Sequence, residues 1–192
     1  MTLATMKPDD SSCQTLLVEP VPAMGAEYRA FLQEFVLAGE EGLLNILPAE
    51  IEDESEFIQR LRNHSEGYDS PDGSVPCSAY WLLSGDRSLL GEIHIRHRLT
   101  PDMENYGGHI GYMVRPSERG KGYGTRMLAF GLEKAAAMGL ERVMITCEPG
   151  NVASARVIQR NGGKLIEVPA ARGGRVASRY WIDLRPGGIC QG

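Results

Sequence analysis

Residues 108–128, which read GHIGYMVRPSERGKGYGTRML, hold the residue types and spacings that point most directly to chemistry. An apolar strand candidate leads through a proline-containing turn to Gly120, Gly122 and Gly124, and an amphipathic helix pattern follows at once. Because glycine has no side chain, a ligand can approach the backbone N–H groups of such a turn closely. The positive end of the helix dipole lies at the same point. The segment therefore predicts an anion site suited to phosphate or pyrophosphate.

Two common phosphate-binding motifs do not fit this segment. The P-loop pattern G-x-x-x-x-G-K-[ST] would need glycine where Arg115 stands and serine or threonine where Gly122 stands. The dinucleotide pattern G-x-G-x-x-G belongs at the start of a first strand–helix unit, whereas the alternating glycines here lie in mid-chain. The predicted anion site is therefore of a different kind.

Hydrophobic periodicity predicts the elements that must position this turn. Three- and four-residue spacing indicates helices over residues 23–40, 53–64, 122–138 and 151–161. Alternating or β-branched runs indicate strands over residues 16–18, 78–83, 89–97, 109–114, 141–147, 164–168 and 178–184. The predicted fold class is α/β, of the mixed α+β kind, with a central, mostly antiparallel or mixed twisted sheet of about seven strands and helices on both faces.

The 192 residues suffice for one sizeable core, and neither an internal repeat nor a linker divides them. We expect a lead-in over residues 1–13, a single domain over residues 14–186 and a tail over residues 187–192. Residues 63–76 are rich in Ser, Gly, Asp and Pro, and they are predicted to form a long loop, which is either a solvent-exposed excursion or has a binding role.

Composition excludes several classes of protein. The net charge of -5 argues against a nucleic-acid binder, and no apolar run approaches the roughly 18 residues that span a bilayer. The start lacks the layout of a secretory signal. The cysteines Cys13, Cys77, Cys147 and Cys190 form no C-x-x-C pair, so neither a metal site nor a disulfide framework is expected. These features favour a cytoplasmic protein with reduced thiols.

The pattern R-x-x-G-x-G of Arg119, Gly122 and Gly124, preceded by Gly-Tyr-Met-Val-Arg-Pro, resembles the acyl-CoA-binding motif R/Q-x-x-G-x-G/A of the GNAT acetyltransferase superfamily. The resemblance covers most of the chain, because the element order agrees, as does the downstream block Asn151-x-x-Ser154 ending in Asn-Gly-Gly. It implies the GNAT fold, with acetyl-CoA as cosubstrate and no metal.

The resemblance also implies which residues bind CoA. The turn would hold the pyrophosphate through backbone N–H groups, a hydroxyl and positive charge, from Arg119, Gly120, Lys121, Gly122, Tyr123, Gly124 and Thr125. In the family the preceding strand is bulged and splayed from its neighbour, and its free backbone groups pair with pantetheine. That role maps onto Met113 and Val114, and a backbone N–H near Val114 would stabilise the oxyanion. Asn151 and Ser154 would contact the CoA arm, and Asn151 is also a predicted helix N-cap.

The implied chemistry is direct attack of an amine on the thioester, without a covalent enzyme intermediate. Many family members carry a tyrosine seven residues after the asparagine as general acid for the thiolate, but this chain has Ile158 there. The acid is then Tyr112, Tyr180 or a water, or the thiolate leaves without much help.

Candidates for the general base lie on the predicted meander: Glu92, His94, His97 and His109. Glu92 and His94 share one face of an alternating strand. His109 begins the cofactor strand and belongs to the residue type that titrates near neutral pH, so His109 and Glu92 are ranked first. Cys147 stands at an apolar strand position and is predicted to be a buried, inert thiol.

The leading hypothesis is an N-acetyltransferase that acetylates a primary amine of a small molecule or a protein. The first helices and residues 63–76 would form the acceptor side, and homodimers are common in the family. The alternative is a non-catalytic acyl-CoA-binding or regulatory module of the same fold, which Ile158 favours.

Overall fold

The computed structural model describes residues 15–44, 47–64, 75–105, 107–167 and 177–184. The expected lead-in and tail, and most of the predicted loop over residues 63–76, lie outside the described residues. Within these ranges the α-helices are α1 (Gly25–Leu37), α2 (Glu54–Asn63), α3 (Pro101–Asn105), α4 (Tyr123–Ala137) and α5 (Val152–Arg160). The strands are β1 (Leu16–Val18), β2 (Cys77–Leu83), β3 (Leu89–Arg96), β4 (Ile110–Val114), β5 (Arg142–Cys147), β6 (Lys164–Glu167) and β7 (Ser178–Asp183).

The strands form two sheets whose neighbours all pair antiparallel. The first sheet has the order β1-β2-β3-β4 and the second has the order β5-β7-β6. The described residues hold seven strands in two sheets of four and three, whereas one central sheet was predicted. The structure confirms the predicted fold class. It also confirms every predicted helix and strand to within a few residues at each end, while α3 falls where only a loop was expected.

Among the described residues, one bridge joins the two sheets, between Gly108 and Ile145. Gly108 has φ +65°, and a Cβ at this position would lie 2.5 Å from the carbonyl oxygen of Met144, so only glycine fits there. The N–H of His109 donates to the same carbonyl at 2.7 Å. Beyond this point the described residues of β4 and β5 form no ladder. The two sheets are therefore joined at one end of β4 and separate along the rest of it.

Two hydrophobic clusters pack on opposite faces of the first sheet. One lies under α4 and α5 and joins both sheets, through side chains that include Ile93, Ile95, Met127, Leu128 and Ile158. The other lies under α1 and α2, and its fully buried members include Phe31, Phe35, Ile58 and Trp81. Since successive strand residues point to opposite faces, this arrangement follows from the alternating pattern of β2 and β3.

An ion-pair cluster fastens α1 to the end of β4. The guanidinium of Arg115, the residue after β4, donates to Glu27 at 2.7 Å and to Glu34 at 2.6 Å. Glu34 also accepts from the Ser117 hydroxyl at 2.8 Å. The helix that borders the predicted acceptor side is thereby held against the start of the glycine turn.

Local signals explain where the helices begin and end. The Asp53 carboxylate accepts from the N–H of Glu56 at 2.8 Å and caps α2. Gly122 precedes α4 with φ +86°, and Gly139 lies just past its end with the same φ of +86°. None of the helices within the described ranges has the length and apolar character that a membrane crossing requires.

Candidate active site

A cleft of about 1290 Å³ runs along β4 and the glycine turn, between α5 on one side and residues of α2, β2 and β3 on the other. It is lined by the predicted acid candidate Tyr112 and by most of the residues predicted to bind CoA: Met113, Val114, Arg119, Gly120, Gly122, Tyr123, Gly124, Thr125, Asn151 and Ser154. The predicted residues Lys121, Glu92 and His109 do not line it.

The glycine turn presents a run of free backbone donors. The N–H groups of Thr125 and Arg126 both donate to the carbonyl of Gly122, at 3.1 Å and 3.2 Å. The N–H groups of residues 120–124 find no acceptor in the described part of the chain. Gly120 and Gly122 have φ of +79° and +86°, which turns these donors to one side. Together with the N-terminus of α4 they form a cradle for an anion.

The two cations of this turn already have carboxylate partners. Arg119 makes a two-pronged ion pair with Glu40, with N–O distances of 2.8 Å and 2.6 Å, and its Nε donates to the carbonyl of Val114 at 3.2 Å. Lys121 pairs with Glu118 at 2.9 Å. The hydrogen bond from Arg119 lowers the pKa of Glu40, which keeps that carboxylate charged. The turn therefore presents dipoles more than net positive charge.

The backbone of β4 has one free edge. Hydrogen bonds run from Arg96 N to His109 O at 2.8 Å and from Arg115 N to Leu90 O at 2.9 Å. In an antiparallel ladder, hydrogen-bonded pairs alternate with pairs that are not hydrogen-bonded. The odd-numbered residues of this stretch therefore direct their backbone groups to β3, and the even-numbered residues direct theirs to the gap beside β5.

This alternation corrects the expected pairing with pantetheine. Met113 is paired with Glu92 of β3, so its N–H and C=O belong to the sheet. Tyr112 and Val114 direct their backbone groups to the gap, and they are the residues able to pair with an extended ligand arm. Met113 contributes its side chain to the cleft wall.

The start of α5 borders the same gap. Asn151 caps the helix by accepting from the N–H of Ser154 at 2.9 Å, which confirms the predicted N-cap. The hydroxyl of Tyr112 lies 2.9 Å from the Ser154 hydroxyl. Burial raises the pKa of Tyr112 to about 12, so the phenol keeps its proton at neutral pH. Ile158 is fully buried in the core and offers nothing to the cleft.

An imidazole backed by a buried carboxylate lines the other half of the cleft. Glu92 is 1% exposed, and one of its oxygens bonds to the Nε2 of His94, which lines the cleft. Burial alone would lower the pKa of His94, but the Glu92 charge and the neighbouring Cys77 thiol outweigh it and raise the pKa to about 10. Burial and the same carboxylate raise the pKa of Tyr28 well above its ordinary value.

Small residues flank this imidazole. In the sheet, His94 pairs with Ala79 of β2 on one side and with Gly111 of β4 on the other. Paired residues share a face, so a Cβ at Gly111 would project beside the imidazole. It would meet nothing within 4 Å. The His94 ring is therefore open to a ligand from the β4 side.

The other histidine candidates are engaged elsewhere. The Nδ1 of His109 accepts from the N–H of Met144 at 3.0 Å, and burial lowers the pKa of its imidazole. His97 lies 2.8 Å from the hydroxyl of Ser78. Neither ring lines the cleft, so the geometry favours His94, backed by Glu92, over the higher-ranked His109.

Cys147 is 8% exposed, which confirms the prediction of a buried cysteine, and burial raises the pKa of its thiol, which disfavours the reactive thiolate. The described residues contain no group of three or more His, Cys, Asp or Glu side chains able to hold a metal ion. Sequence reasoning missed Gly111, Arg156 and Arg160 as cleft residues. The i,i+4 spacing of the two arginines was the available signal.

Comparison with known proteins agrees with this geometry. Residues 26–164 match the family model described as an acetyltransferase (GNAT) domain. No curated protein matches the chain significantly.

Solved structures share the fold at low sequence identity. RimJ of Mycobacterium smegmatis in complex with CoA-disulfide has 19% identity and a TM-score of 0.63, covering 88% of this chain and 81% of that one. The microcin C7 self-immunity acetyltransferase MccE, in complex with acetyl-CoA and AMP, has 17% identity and a TM-score of 0.63, covering 90% and 94%. A Salmonella typhimurium enzyme that modifies the N-terminal serine of a ribosomal protein has 17% identity and a TM-score of 0.63, covering 90% and 96%.

A split antiparallel sheet beside a glycine turn that opens a helix, over one continuous cleft, defines an acyl-CoA-dependent acyltransferase. The chain belongs to the GNAT acetyltransferase family. It is an enzyme that takes its acetyl group from acetyl-CoA.

Proposed function

We propose that the protein acetylates a primary amine held over Gly111, with Glu92 and His94 as the base system and Tyr112 as the acid. The observation that carries this proposal is a juxtaposition across one strand. His94 faces the cleft directly opposite Gly111, and the next residue, Tyr112, turns its backbone groups to the gap. A thioester carbonyl bound along that gap would lie beside the imidazole.

Deprotonation of the acceptor falls to His94. A primary ammonium has a pKa of about 8 to 10, near the pKa of about 10 of the His94 imidazole, so the proton transfer is close to thermoneutral. Glu92 orients the ring through Nε2 and stabilises the imidazolium that forms. The amine nitrogen then attacks the thioester carbonyl and the carbon–sulfur bond breaks. The second proton that the nitrogen loses restores the Tyr112 hydroxyl after it has protonated the thiolate, and His94 releases its proton to solvent.

Backbone N–H groups and the Tyr112 phenol act on the two negative charges that form later, on the carbonyl oxygen and on the leaving sulfur. As the tetrahedral intermediate forms, an N–H of Tyr112 or Val114 on the free edge of β4 stabilises its oxygen. The departing thiolate takes a proton from the hydroxyl of Tyr112, which Ser154 holds at 2.9 Å. The Tyr112 hydroxyl of β4 thereby takes the acid role that many family members give to a tyrosine at the position of Ile158.

The acceptor is a primary amine of a small molecule or of a protein N-terminus. The Salmonella typhimurium enzyme with the same fold modifies an N-terminal serine, which supports including peptides with free α-amines among the first acceptors tested. The proposal also includes a cytoplasmic location. It further includes a homodimer, since family members often dimerise.

The test is release of free CoA thiol from acetyl-CoA across a panel of amines. It would include N-terminal peptides, a lysine peptide and small primary amines. Acceptor-dependent thiol release is the expected result. Tight CoA binding without acceptor-dependent release across the panel would favour the alternative, a binding or regulatory module, for which the buried Ile158 is the supporting observation.

Replacing Tyr112 by phenylalanine should lower kcat about tenfold, because the leaving thiolate loses its proton donor while the ring keeps its packing. The effect stays at the low end for an acid catalyst, since a thiolate is a fair leaving group. Tyr180→Phe is the matched control, because Tyr180 is a buried tyrosine that does not line the cleft. Equal rates for the two variants would remove Tyr112 from the acid role.

Replacing Gly111 by valine should lower turnover by about tenfold or more while the thermal midpoint stays or rises. The added side chain has nothing within 4 Å in the folded chain, so its bulk enters the cleft beside His94. Valine is also better suited than glycine to a strand. Steady-state kinetics and a thermal melt measure the two effects, and unchanged turnover in a stable variant would place the reaction elsewhere.

A further inference from the structure

A half-buried cation lines the cleft next to the proposed base. Arg96 follows His94 by two residues in β3, so the two side chains lie on the same face of the sheet, about 7 Å apart along the strand. Both side chains line the cleft. The guanidinium of Arg96 is therefore within reach of an acceptor whose amine lies over Gly111.

Hydrogen bonds within the chain use one nitrogen of this guanidinium. Its Nη1 donates to the carbonyl of Gly108 at 3.0 Å and, more weakly, to that of Gly107 at 3.5 Å. The Nε and Nη2 donors bond to nothing in the described part of the chain, and no carboxylate there pairs with the charge. A neutral amide could hold the same two carbonyls. The fold therefore accounts for one edge of the guanidinium and leaves its charge and its other edge unexplained.

The other charges around this point are balanced. Among the described residues that line the cleft, the carboxylates are Glu40 and Glu118, and both pair with cations of the glycine turn. His94 is protonated at neutral pH, because its pKa is about 10, and the buried Glu92 carboxylate offsets its charge. The positive charge of Arg96 is therefore left over beside the proposed base, and an anion on the acceptor would balance it.

We propose that Arg96 selects the acceptor by binding a carboxylate that the acceptor carries about 7 Å from its reactive amine. The inference rests on the proposed transfer to a primary amine over Gly111. Nε and Nη2 lie along one edge of a guanidinium, and two parallel hydrogen bonds from that edge fit a carboxylate. An acceptor with positive charges alone would meet an uncompensated cation there. The chemistry is that of a peptide with a free α-amine and an acidic second residue, or of a small amino acid with a terminal amine.

The test measures kcat/KM for two matched pairs of acceptors. One pair consists of two peptides that begin with Ser-Glu or Ser-Gln and are otherwise identical, and the other consists of δ-aminovalerate and its amide. The wild type should use the acid about tenfold better than the amide in at least one pair, and higher salt should shrink this ratio. The pair that shows the larger ratio distinguishes a peptide acceptor from a small molecule.

The acid-to-amide ratio is then compared between variants, because it does not depend on the folded fraction of a preparation. Arg96→Gln keeps an N–H for the Gly108 carbonyl and loses the charge, so its ratio should fall to about one. Arg96→Lys keeps the charge without the paired donors and should give an intermediate ratio. Arg87→Gln is the control, because Arg87 is exposed and does not line the cleft, and it should keep the wild-type ratio.

Four outcomes would contradict the role of Arg96. A wild-type ratio near one in both pairs would overturn it, and so would an unchanged ratio in Arg96→Gln. An equal fall in Arg87→Gln and Arg96→Gln would mean that the preference follows the net charge of the protein. Acetylation of neutral or cationic amines but of neither acid would overturn the role of Arg96 and leave the proposed function standing. Absence of thiol release with every amine would overturn the proposed function, and this inference with it.

Discussion

Replacing His94 by alanine is expected to lower kcat/KM for acetyl transfer by about a hundredfold or more and to leave the affinity for CoA nearly unchanged. The imidazole lines the cleft, bonds to the buried Glu92 carboxylate and lies opposite Gly111 on the strand beside the thioester gap. The turn that would bind the CoA phosphates is formed by other residues, so the loss should fall on the reaction with the acceptor.

The pH profile distinguishes a base from a residue that only shapes the cleft. His94 must be neutral to accept a proton, and its pKa is raised to about 10. The neutral fraction grows as pH rises from 7, but the ammonium form of the acceptor is lost above its own pKa. For an α-amine, kcat/KM should therefore climb to about pH 8, level off, and fall above about pH 10. A peptide acceptor is the right substrate, because its α-amine titrates at about 8 and leaves the higher inflection to the enzyme.

The Glu92→Gln variant tests whether the Glu92 carboxylate raises the pKa of His94. Removing the carboxylate takes away the charge that raises the pKa of His94, and burial then lowers it. The inflection should move to lower pH, and the rate reached on the alkaline side should fall because the imidazole is a weaker base. A profile that keeps its inflection in Glu92→Gln would contradict the coupling of the two residues.

His97→Ala is the matched control for the His94 variant. His97 follows the same strand, bonds to the Ser78 hydroxyl and does not line the cleft. Its loss should leave the rate and the pH profile close to those of the wild type. Similar losses in both variants would mean that a histidine is needed there for stability and not for proton transfer.

The fold was predictable because its signals are local. Alternation in β2 and β3, the Asp53 and Asn151 caps and the glycines that flank α4 all act within a few residues of where they stand. These local signals favour the same elements as the hydrophobic pattern does, and a sequence whose signals agree in this way specifies its fold clearly. The short helix α3 was missed because its five residues, Pro101–Asn105, are too few to show a period.

The site was harder to predict because its decisive contacts are long-range. The sequence shows that Glu92 and His94 share a face, but only the pairing of β3 with β2 and β4 puts Ala79 and Gly111 beside the imidazole. The sequence ranked His109 first together with Glu92. In the structure, the bridge at Gly108 brings His109 beside β5, where its ring accepts from the N–H of Met144 and does not line the cleft.

Arg119 illustrates the same limit. Its place in the glycine motif suggests a phosphate ligand, yet its guanidinium is bound by Glu40, 79 positions earlier in the chain. No local pattern reports such a pair. The hydrogen-bonding parity of β4, which assigns Tyr112 and Val114 to the gap, likewise depends on its register with β3.

Replacing Gly122 by valine is expected to weaken CoA binding by about a hundredfold or more in a protein that still folds. Gly122 lies at the N-terminus of α4 and lines the cleft. A Cβ there would meet nothing within 4 Å, so the fold has room for it. The valine would occupy the space over the backbone donors, which a pyrophosphate must enter to reach them.

The backbone strain of this substitution can be subtracted with a variant at the other end of the same helix. Gly139 has the same φ of +86° as Gly122 and equally open surroundings, but it does not line the cleft. Valine at either position should cost about 2 kcal/mol or more, because an L-residue is strained in this region. Both variants should therefore show a similar fall in thermal midpoint without ligand.

Added CoA then separates the two variants. A ligand that binds only the folded state raises the thermal midpoint, so saturating CoA should restore much of the loss in Gly139→Val and little in Gly122→Val. Calorimetry at a temperature where both are folded gives the affinities directly. Equal CoA affinity in the two variants would mean that the phosphates bind away from the turn. Because the helix, φ and exposure are matched, a difference between them can arise only from what the cleft side of Gly122 admits.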